Sequence, residues 1–234
     1  WSVGYSSAQI VGGNNYASTV EVTSSDAAGN SSTSTHTVHI DTETSATLNG
    51  GFAGADNVLS GPEAQGGVQL TGTAEPGSTV QVFFGAAGAQ NATVDAAGNW
   101  TVLIPQSSIP TGTTDVDIEV HATDAVGNTD VVTRTLSIDT EVDPFSVEAN
   151  QTANDVVNQD ELNAGFALQG TVEPGSEVIV TIRGVAKTAT VDAAGNWSAE
   201  FSGSDLPAGE YSATATIVAT DPAGNTSSLT ESFE

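Results

Sequence analysis

The sequence has 234 residues, three Lys or Arg against 29 Asp or Glu, a formal net charge of −26, and no Cys or Met. This charge predicts no binding to nucleic acid and repulsion from an anionic membrane surface, because there is no basic patch to contact phosphates. The lack of Cys excludes disulfides and thiolate chemistry, and no apolar run reaches the roughly 18 residues of a membrane helix. Neither an initial Met nor a signal peptide is visible, so we expect a piece of a longer protein.

Segments rich in Thr and Val, interrupted by Gly, predict an all-β fold built from short strands. A high net charge is also typical of disordered chains. Three Trp, seven Phe and regularly alternating apolar residues favour a folded chain with a buried core instead.

A repeat of nearly one hundred residues dominates the sequence. The segment Asp-Ala-Ala-Gly-Asn at Asp26 returns in closely similar form at Asp124 and Asp221, in steps of 98 and 97 residues. The segment Gly-Thr-Ala-Glu-Pro-Gly-Ser at 72–78 returns with one change at 170–176. This period is typical of one immunoglobulin-like Greek-key β-sandwich of about 100 residues and about seven strands. We therefore predict tandem sandwiches in a linear array.

The repeat also sets the expected domain boundaries. Alignment on the period places Trp1 with Trp100 and Trp197, so the first copy begins in the middle of a domain. A partial sandwich would expose an apolar face and would not be stable alone. The predicted segments are 1–43, the C-terminal part of a repeat with strands E to G, and the complete repeats 44–141 and 142–234.

Apolar and polar residues alternate in the middle copy, which predicts antiparallel strands with one buried face. We expect Val116, Ile118 and Val120 to face inward in strand F. The expected strands are A near Ala46–Gly50, B at Val68–Thr73, C at Thr79–Phe84, D at Ala92–Val94, E at Trp100–Ile104, F at Val116–Ala122 and G at Val131–Ile138.

The turns between these strands carry recurring polar motifs. The Asp-Ala-Ala-Gly-Asn motif suits a tight hairpin in which the Asp caps the turn and the Gly adopts a positive φ. It occurs between strands D and E and again between F and G, while Glu75-Pro76-Gly77 forms the B–C turn. In this topology all three loops lie at the end of the domain where the chain enters. Glu75, Asp95 and Asp124 are therefore expected to face the linker that begins at Asp41.

Together these motifs resemble the bacterial immunoglobulin-like repeats of giant surface adhesins and biofilm-associated proteins. The matching segments are Gly-Thr-Ala-Glu-Pro-Gly-Ser, Asp-Ala-Ala-Gly-Asn-Trp, Ala-Thr-Asp-Pro-Ala-Gly-Asn-Thr and Ile-Asp-Thr-Glu. The resemblance implies an extracellular protein at the bacterial cell surface, in which long arrays form stalks and many repeats bind calcium near their junctions. The linkers at Asp41 and Asp139 depart from the usual Asp-Thr-Thr-Ala-Pro by carrying additional acid.

Carboxylates and Asn side chains at the predicted junctions make calcium the expected cofactor, because Ca²⁺ binds six to eight oxygens at about 2.3–2.6 Å. Close carboxylates would otherwise repel by about 1 kcal/mol per pair even in bulk water. Solvated acidic turns are the alternative, and Asp95 and Asp192 are expected mainly to cap their turns. The metal candidates are Asp41, Glu43, Asp56, Asn57, Glu63, Glu75, Asp124, Asp139, Glu141, Asp143, Glu173 and Asp221. In the third copy, Asn154-Asp155 and Asp160-Glu161 repeat the acidic pattern of the A–B loop.

Other candidate sites are weaker. An equivalent Trp in every copy favours core packing over a sugar-binding platform. His36 and His39 lie three residues apart and would point to opposite faces of a strand, so no zinc site is predicted. Phe83-Phe84 in the second copy, against Ile182-Arg183 in the third, is the one asymmetry that a binding surface could use. No nucleophile, base and acid converge, so no enzyme is predicted.

The leading functional hypothesis is a stalk segment of a large bacterial extracellular adhesin, with calcium making the junctions rigid. The stalk would present a distal adhesive tip for surface attachment or biofilm formation. One alternative is a binding module that contacts a glycan or a protein through its sandwich loops, and another is homophilic association bridged by calcium. The expected partners are neighbouring repeats of the same chain, with homophilic or host-surface contact through other parts of the parent protein.

Overall fold

The computed structural model describes residues 1–148 and 156–233 and shows an all-β chain. The chain folds into two compact units. The first comprises Trp1–Gly50, Gln69–Ile104 and Asp117–Thr135, and the second comprises Gly51–Val68, Pro105–Val116 and Leu136–Glu234.

The first copy contributes a single antiparallel hairpin. Its strands are β1 (Tyr16–Ser25) and β2 (Ser31–Ile40). The predicted strand E does not form, since residues 1–15 contain no strand and Trp1 is 95% exposed. In the other two copies strand E pairs with strand B. Residues 1–43 contain no strand B with which a strand E could pair.

The middle copy contains two sheets. One is five-stranded with the order β3-β10-β9-β5-β6, and the other is three-stranded with the order β4-β8-β7. Their elements, in chain order, are β3 (Val58–Ser60), α1 (Gly61–Ala64), β4 (Val68–Thr73), β5 (Thr79–Phe84), β6 (Gln90–Asn91), β7 (Thr93–Val94), β8 (Asn99–Ile104), a 3-10 turn (Gln106–Ser108), β9 (Thr113–Thr123) and β10 (Thr129–Asp139).

Strands B, C, E, F and G of the prediction are confirmed as β4, β5, β8, β9 and β10. Strand D instead divides at Ala92 into β6, which pairs with β5, and β7, which pairs with β8. Strand A is reduced to one bridge between Ala46 and Ala74. The predicted A–B loop contains β3, which pairs in parallel with β10 because Leu59 is fully buried there.

The third copy is a β-sandwich with a continuous core. Its sheets have the orders β11-β12-β16-β15 and β14-β13-β17-β18. Val178, Val180 and Ile182 alternate along one strand with no exposed surface, and Trp197 belongs to the same core. The elements are β11 (Phe145–Val147), α2 (Gln159–Ala164), β12 (Phe166–Val172), β13 (Glu177–Ile182), β14 (Val185–Thr188), β15 (Thr190–Val191), β16 (Asn196–Phe201), β17 (Ala213–Thr220) and β18 (Thr226–Phe233).

The predicted turn chemistry is confirmed. In the D–E turn of the middle copy, Asp95 Oδ1 accepts hydrogen bonds from the backbone N–H groups of Ala97 and Asn99, and Asp95 Oδ2 accepts from Asn99 Nδ2 at 2.9 Å. Gly98 has a φ of +84°. The hydrogen bond from the Asn99 side chain is the main cause that lowers the pKa of Asp95 below its usual value. These turns therefore favour an ionised Asp.

An ion pair in the third copy gives a prediction for acidic pH. Lys187 Nζ lies 2.7 Å from Asp205 Oδ1, and this hydrogen bond, followed by those from Ser202, lowers the pKa of Asp205 from 3.8 to about 2. A lowered folded-state pKa contributes stability above the unfolded value that is lost as the pH falls through the folded one. Asp205→Asn should therefore destabilise the protein near neutral pH, and the difference from wild type should shrink between pH 3.8 and about 2.

This prediction can be checked by denaturant unfolding at a series of pH values. Glu210→Gln is a matched control, because it removes an exposed carboxylate from the same copy. A difference between Asp205→Asn and wild type that stayed constant down to pH 2 would contradict the role of the ion pair.

Candidate metal centres

Three carboxylates converge at the start of the middle copy. Asp41 follows strand β2, Glu75 opens the B–C turn and Asp124 opens the F–G turn. Each offers one oxygen, and these oxygens all lie within 4.8 Å of one another. Asp124 is buried, while Asp41 and Glu75 are half-buried. We call this group the Asp41 centre.

The same arrangement recurs at the start of the third copy. Oxygens of Asp139, Glu173 and Asp221 also lie within 4.8 Å of one another. Asp139 and Asp221 are only 7% and 5% exposed. We call this group the Asp139 centre. The sequence repeat has thus placed a linker Asp, a B–C Glu and an F–G Asp together twice.

Both centres contain a buried carboxylate oxygen that has no hydrogen-bond partner among the described residues. It is Oε2 of Glu75 in the Asp41 centre and Oε2 of Glu173 in the Asp139 centre. A buried polar atom without a partner costs about 1–3 kcal/mol, and more when it is charged. An oxygen that accepts no hydrogen bond but faces other carboxylates is therefore suited to a cation.

The F–G Asp residues are held in position by their own turns. Asp124 Oδ1 accepts from the backbone N–H groups of Val126, Gly127 and Asn128 at 2.7–2.9 Å, and Oδ2 accepts from Asn128 Nδ2 at 2.6 Å. Burial raises the pKa of Asp124, but these hydrogen bonds outweigh it and the net pKa is lowered. The carboxylate is thus kept ionised, and Oδ2, which accepts only one of these hydrogen bonds, retains a lone pair for a metal.

Electrostatic repulsion is evident at the Asp139 centre. Burial is the largest cause that raises the pKa of Glu173, and the charges of Asp139 and Asp221 raise it further. The backbone N–H of Asp143 donates to the Glu173 carboxylate and opposes this rise. A divalent cation among these carboxylates would reverse the repulsion.

At both centres, an Asn at the end of the F–G turn contacts the linker, which the sequence analysis did not anticipate. Asn128 Nδ2 donates to Asp41 Oδ1 at 3.2 Å. Asn225, only 3% exposed, donates from Nδ2 to the Asp139 carbonyl at 2.8 Å and accepts from the Gly61 N–H at 2.7 Å. The Asn that closes each Asp-x-x-Gly-Asn motif was the available signal in the sequence, but its role in the turn already accounted for it.

The metal candidates predicted in the A–B loop have local roles within that loop. Asp56 Oδ1 accepts from the Val58 N–H at 3.1 Å, and Glu63 Oε2 accepts from the N–H and hydroxyl of Ser60 at the start of helix α1. Asn57 has a φ of +63°. All three candidates are exposed, and neither Asp56 nor Glu63 belongs to the two groups of carboxylates. The loop instead contacts the F–G turn of the third copy through Gly61, whose N–H donates to Asn225 Oδ1.

The remaining candidates lie at the edges of the centres or away from them. Glu43, Glu141 and Asp143 are exposed and outside both groups, and the backbone of Asp143 only lowers the pKa of Glu173 slightly against the larger causes that raise it. Glu161 Oε2 accepts from the Asn158 N–H and so helps to cap helix α2, whereas Asp160 takes part only through its N–H, which donates to Asn158 Oδ1. Asn154 and Asp155 lie outside the described residues.

The aromatic candidates belong to packed regions. Trp100 and Trp197 are 2% and 1% exposed, in agreement with core packing. Phe84 is also buried at 1%, and Phe83 packs on His121 with ring centroids 4.8 Å apart. The Phe83-Phe84 pair therefore offers no free aromatic platform for a ligand.

Comparison with protein families agrees with this architecture. Residues 62–139 match the bacterial Ig domain and residues 148–234 match the bacterial Ig-like domain. Over these segments the chain belongs to the bacterial immunoglobulin-like domains, which confirms the resemblance drawn from its motifs. Domains of this family are structural rather than enzymatic. No curated protein was found to match the sequence.

Several solved structures are similar to the chain. An adhesin of an Antarctic bacterium, described as Ca²⁺-stabilized and as binding ice, is 35% identical over 93% of this chain and 55% of its own, with a TM-score of 0.47. A structure from a 1.5-MDa bacterial ice-binding adhesin is 27% identical over 92% of this chain and 72% of its own, with a TM-score of 0.48. The chain thus spans about half the length of the first of these. In the described part of the chain, no helix has the length and hydropathy to cross a bilayer.

Proposed function

We propose that the chain is a stalk segment of an extracellular bacterial adhesin in which calcium binds at the Asp41 and Asp139 centres. The observation that carries the calcium assignment is the duplicated group of three carboxylates, each with a buried Glu oxygen that lacks a hydrogen-bond partner. In both groups the linker Asp meets two loops of the repeat that follows it. A bound cation would therefore fix the linker against that repeat and make the junction rigid.

The chemistry of the ligands favours calcium over other cations. The converging groups are all oxygens, and calcium accepts six to eight of them in flexible geometry. Magnesium requires a smaller octahedral site with retained waters, and zinc prefers nitrogen or sulfur ligands. Backbone carbonyls and waters would complete the coordination around the three carboxylates.

The stalk role follows from repetition and charge. Repeats of nearly constant length make the chain long, and a net charge of −26 keeps such an array soluble and self-repelling. We infer that the partners of each repeat are its neighbours in the same chain, and that adhesion itself resides in a distal tip elsewhere in the parent protein. The proposal extends to this chain what is described for the Ca²⁺-stabilized adhesin, and its support is the family assignment and the carboxylate geometry.

Thermal unfolding in calcium and in excess chelator, at fixed ionic strength, tests the calcium sites. A ligand that binds only the folded state stabilises it by about 2.7 kcal/mol at a hundredfold excess over its Kd. For a domain of this size that corresponds to a rise in Tm of at least about 10 °C. We expect this rise in calcium but not in magnesium.

Matched variants locate the sites. Glu75→Gln and Glu173→Gln each remove one charge from a centre at nearly constant volume, so together they should abolish the calcium-dependent rise in Tm. Glu63→Gln serves as control, because its carboxylate is exposed and caps helix α1. An unchanged calcium response in the double variant would contradict the proposed sites.

A further inference from the structure

Asn49 and Gly50 form the one Asn-Gly pair in the sequence. The pair follows the bridge between Ala46 and Ala74 in the middle copy, and both of its residues are exposed. Asn is one of the chemically labile residues of proteins. A following Gly has no Cβ to shield its backbone nitrogen, so this nitrogen can approach the side-chain carbon of Asn49.

The guanidinium of Arg134 lies against the peptide group between these two residues. Its Nη1 donates to the Asn49 carbonyl oxygen at 3.2 Å, and a Cβ added to Gly50 would lie 3.5 Å from Nη1 and 3.9 Å from Nη2. The Asn49 carbonyl and the Gly50 N–H belong to one resonant peptide bond. When the N–H loses its proton, negative charge is shared with the carbonyl oxygen. The charged hydrogen bond from Arg134 therefore favours the deprotonated, nucleophilic form.

The other contacts of the pair leave the Gly50 nitrogen available. The Asn49 N–H donates to the Thr71 carbonyl at 2.9 Å, and Asn49 Nδ2 donates to Thr71 Oγ1 at 3.1 Å. These bonds hold Asn49 beside strand β4. Among the described residues the Gly50 N–H has no acceptor, so it can give its proton to solvent without breaking a hydrogen bond of the fold.

We propose that Asn49 is a site of spontaneous deamidation and that Arg134 promotes the reaction. The Gly50 nitrogen attacks Asn49 Cγ, the N–Cγ bond forms, and the Cγ–Nδ2 bond breaks. Nδ2 leaves as ammonia, with the proton that the Gly50 nitrogen gives up through solvent. Water then opens the resulting succinimide at either carbonyl carbon, which produces aspartate or isoaspartate at position 49. Arg134 acts as a preformed positive charge where negative charge develops.

The modification changes how the start of the middle copy is held. Both products replace the Nδ2 donor to Thr71 Oγ1 with a carboxylate oxygen, and both place a new negative charge beside Arg134. Isoaspartate also adds one carbon to the main chain, which shifts the backbone relative to strand β4. Deamidation therefore loosens the segment that leads from the linker at Asp41 into the middle copy.

Ageing of the full chain at mildly alkaline pH, followed by peptide mapping with mass spectrometry, measures conversion at each Asn. Chromatography separates the aspartate and isoaspartate peptides. We expect Asn49 to convert faster than any other Asn. Arg134→Gln should slow its conversion about tenfold, which corresponds to 1.36 kcal/mol of activation free energy, and Arg134→Lys should slow it less because it keeps the charge. Gly50→Ala should also slow it, since the added Cβ shields the nitrogen and makes only ordinary contacts.

Arg183→Gln is the matched control. It removes the same charge from the third copy, where Arg183 stacks on the Tyr211 ring, and should leave the rate at Asn49 unchanged. Local unfolding would free Asn49 and speed its conversion, so slower conversion in Arg134→Gln is not explained by a loss of structure. Equal rates in wild type, Arg134→Gln and Arg134→Lys would overturn the role of Arg134. Conversion at Asn49 no faster than at the other Asn residues of wild type would overturn the site itself.

Discussion

Replacing Trp197 with Ala is expected to lower the free energy of unfolding of the third copy by about 3–5 kcal/mol, the usual cost of removing a buried Trp. The side chain is 1% exposed and lies in the core with Leu168 and Ile217. Its Nε1 donates to the Ser146 carbonyl at 3.1 Å, which ties β16 to β11. The substitution would therefore leave a cavity and remove this hydrogen bond between the two strands. Urea unfolding followed by circular dichroism measures this loss.

Trp1 is the matched control because it has the equivalent position in the repeat but a different environment. It is 95% exposed, and an exposed substitution away from special features changes stability by less than about 0.5 kcal/mol. Trp1→Ala should therefore unfold like wild type. A loss below about 1 kcal/mol in Trp197→Ala would refute the core role of Trp197 and revive the interpretation of these residues as a binding platform.

Replacing Gly170 with Ala is expected to be the second most damaging substitution. A Cβ at this position would overlap the Ser146 carbonyl oxygen and lie 2.8 Å from Trp197 Nε1. Neither neighbour can move freely, because Ser146 pairs with Thr171 and Trp197 is buried. Overpacking of this kind costs about 1–3 kcal/mol, and occasionally more. The Tm of the third copy should fall by at least about 5 °C.

Gly88 provides the control for this substitution. An added Cβ there meets no atom within 4 Å, and its φ lies outside the left-handed region. Gly88→Ala should therefore leave the Tm unchanged or raise it slightly, because Ala restricts the unfolded chain. Similar Tm values for Gly170→Ala and wild type would contradict the close approach of Ser146 and Trp197 to Gly170.

Most strands and turns could be predicted from the sequence because they depend on residues that are neighbours in the chain. Alternation located β4, β5 and β9, and the Asp-to-Asn hairpins at Asp95 and Asp192 form the predicted hydrogen bonds. Strand β3 was missed because three residues carry no periodicity, and only burial of Leu59 against strand β10 explains it. The expected strand at Trp1 failed because strand pairing needs a partner that residues 1–43 do not contain.

The candidate centres were partly predictable because the topology of the repeat places certain loops at the same end of the domain. The repeat predicted that Asp41, Glu75 and Asp124 lie at the same end of the domain, and the structure brings their carboxylates together. Asp56 and Glu63 have the same chemistry, yet they hydrogen-bond within their own loop. Sequence alone does not distinguish a carboxylate that caps a local turn from one that meets distant loops, because the residue types are identical.

Counting bound calcium is the most direct test of the central claim that the two carboxylate groups are calcium sites. Equilibrium dialysis of the full chain against calcium, followed by elemental analysis, gives the number of ions per chain. The two centres predict at least two ions in wild type, one fewer in Glu75→Gln or in Glu173→Gln, and a loss of both in the double variant. No bound calcium in wild type, or the same number in the double variant as in wild type, would contradict the claim.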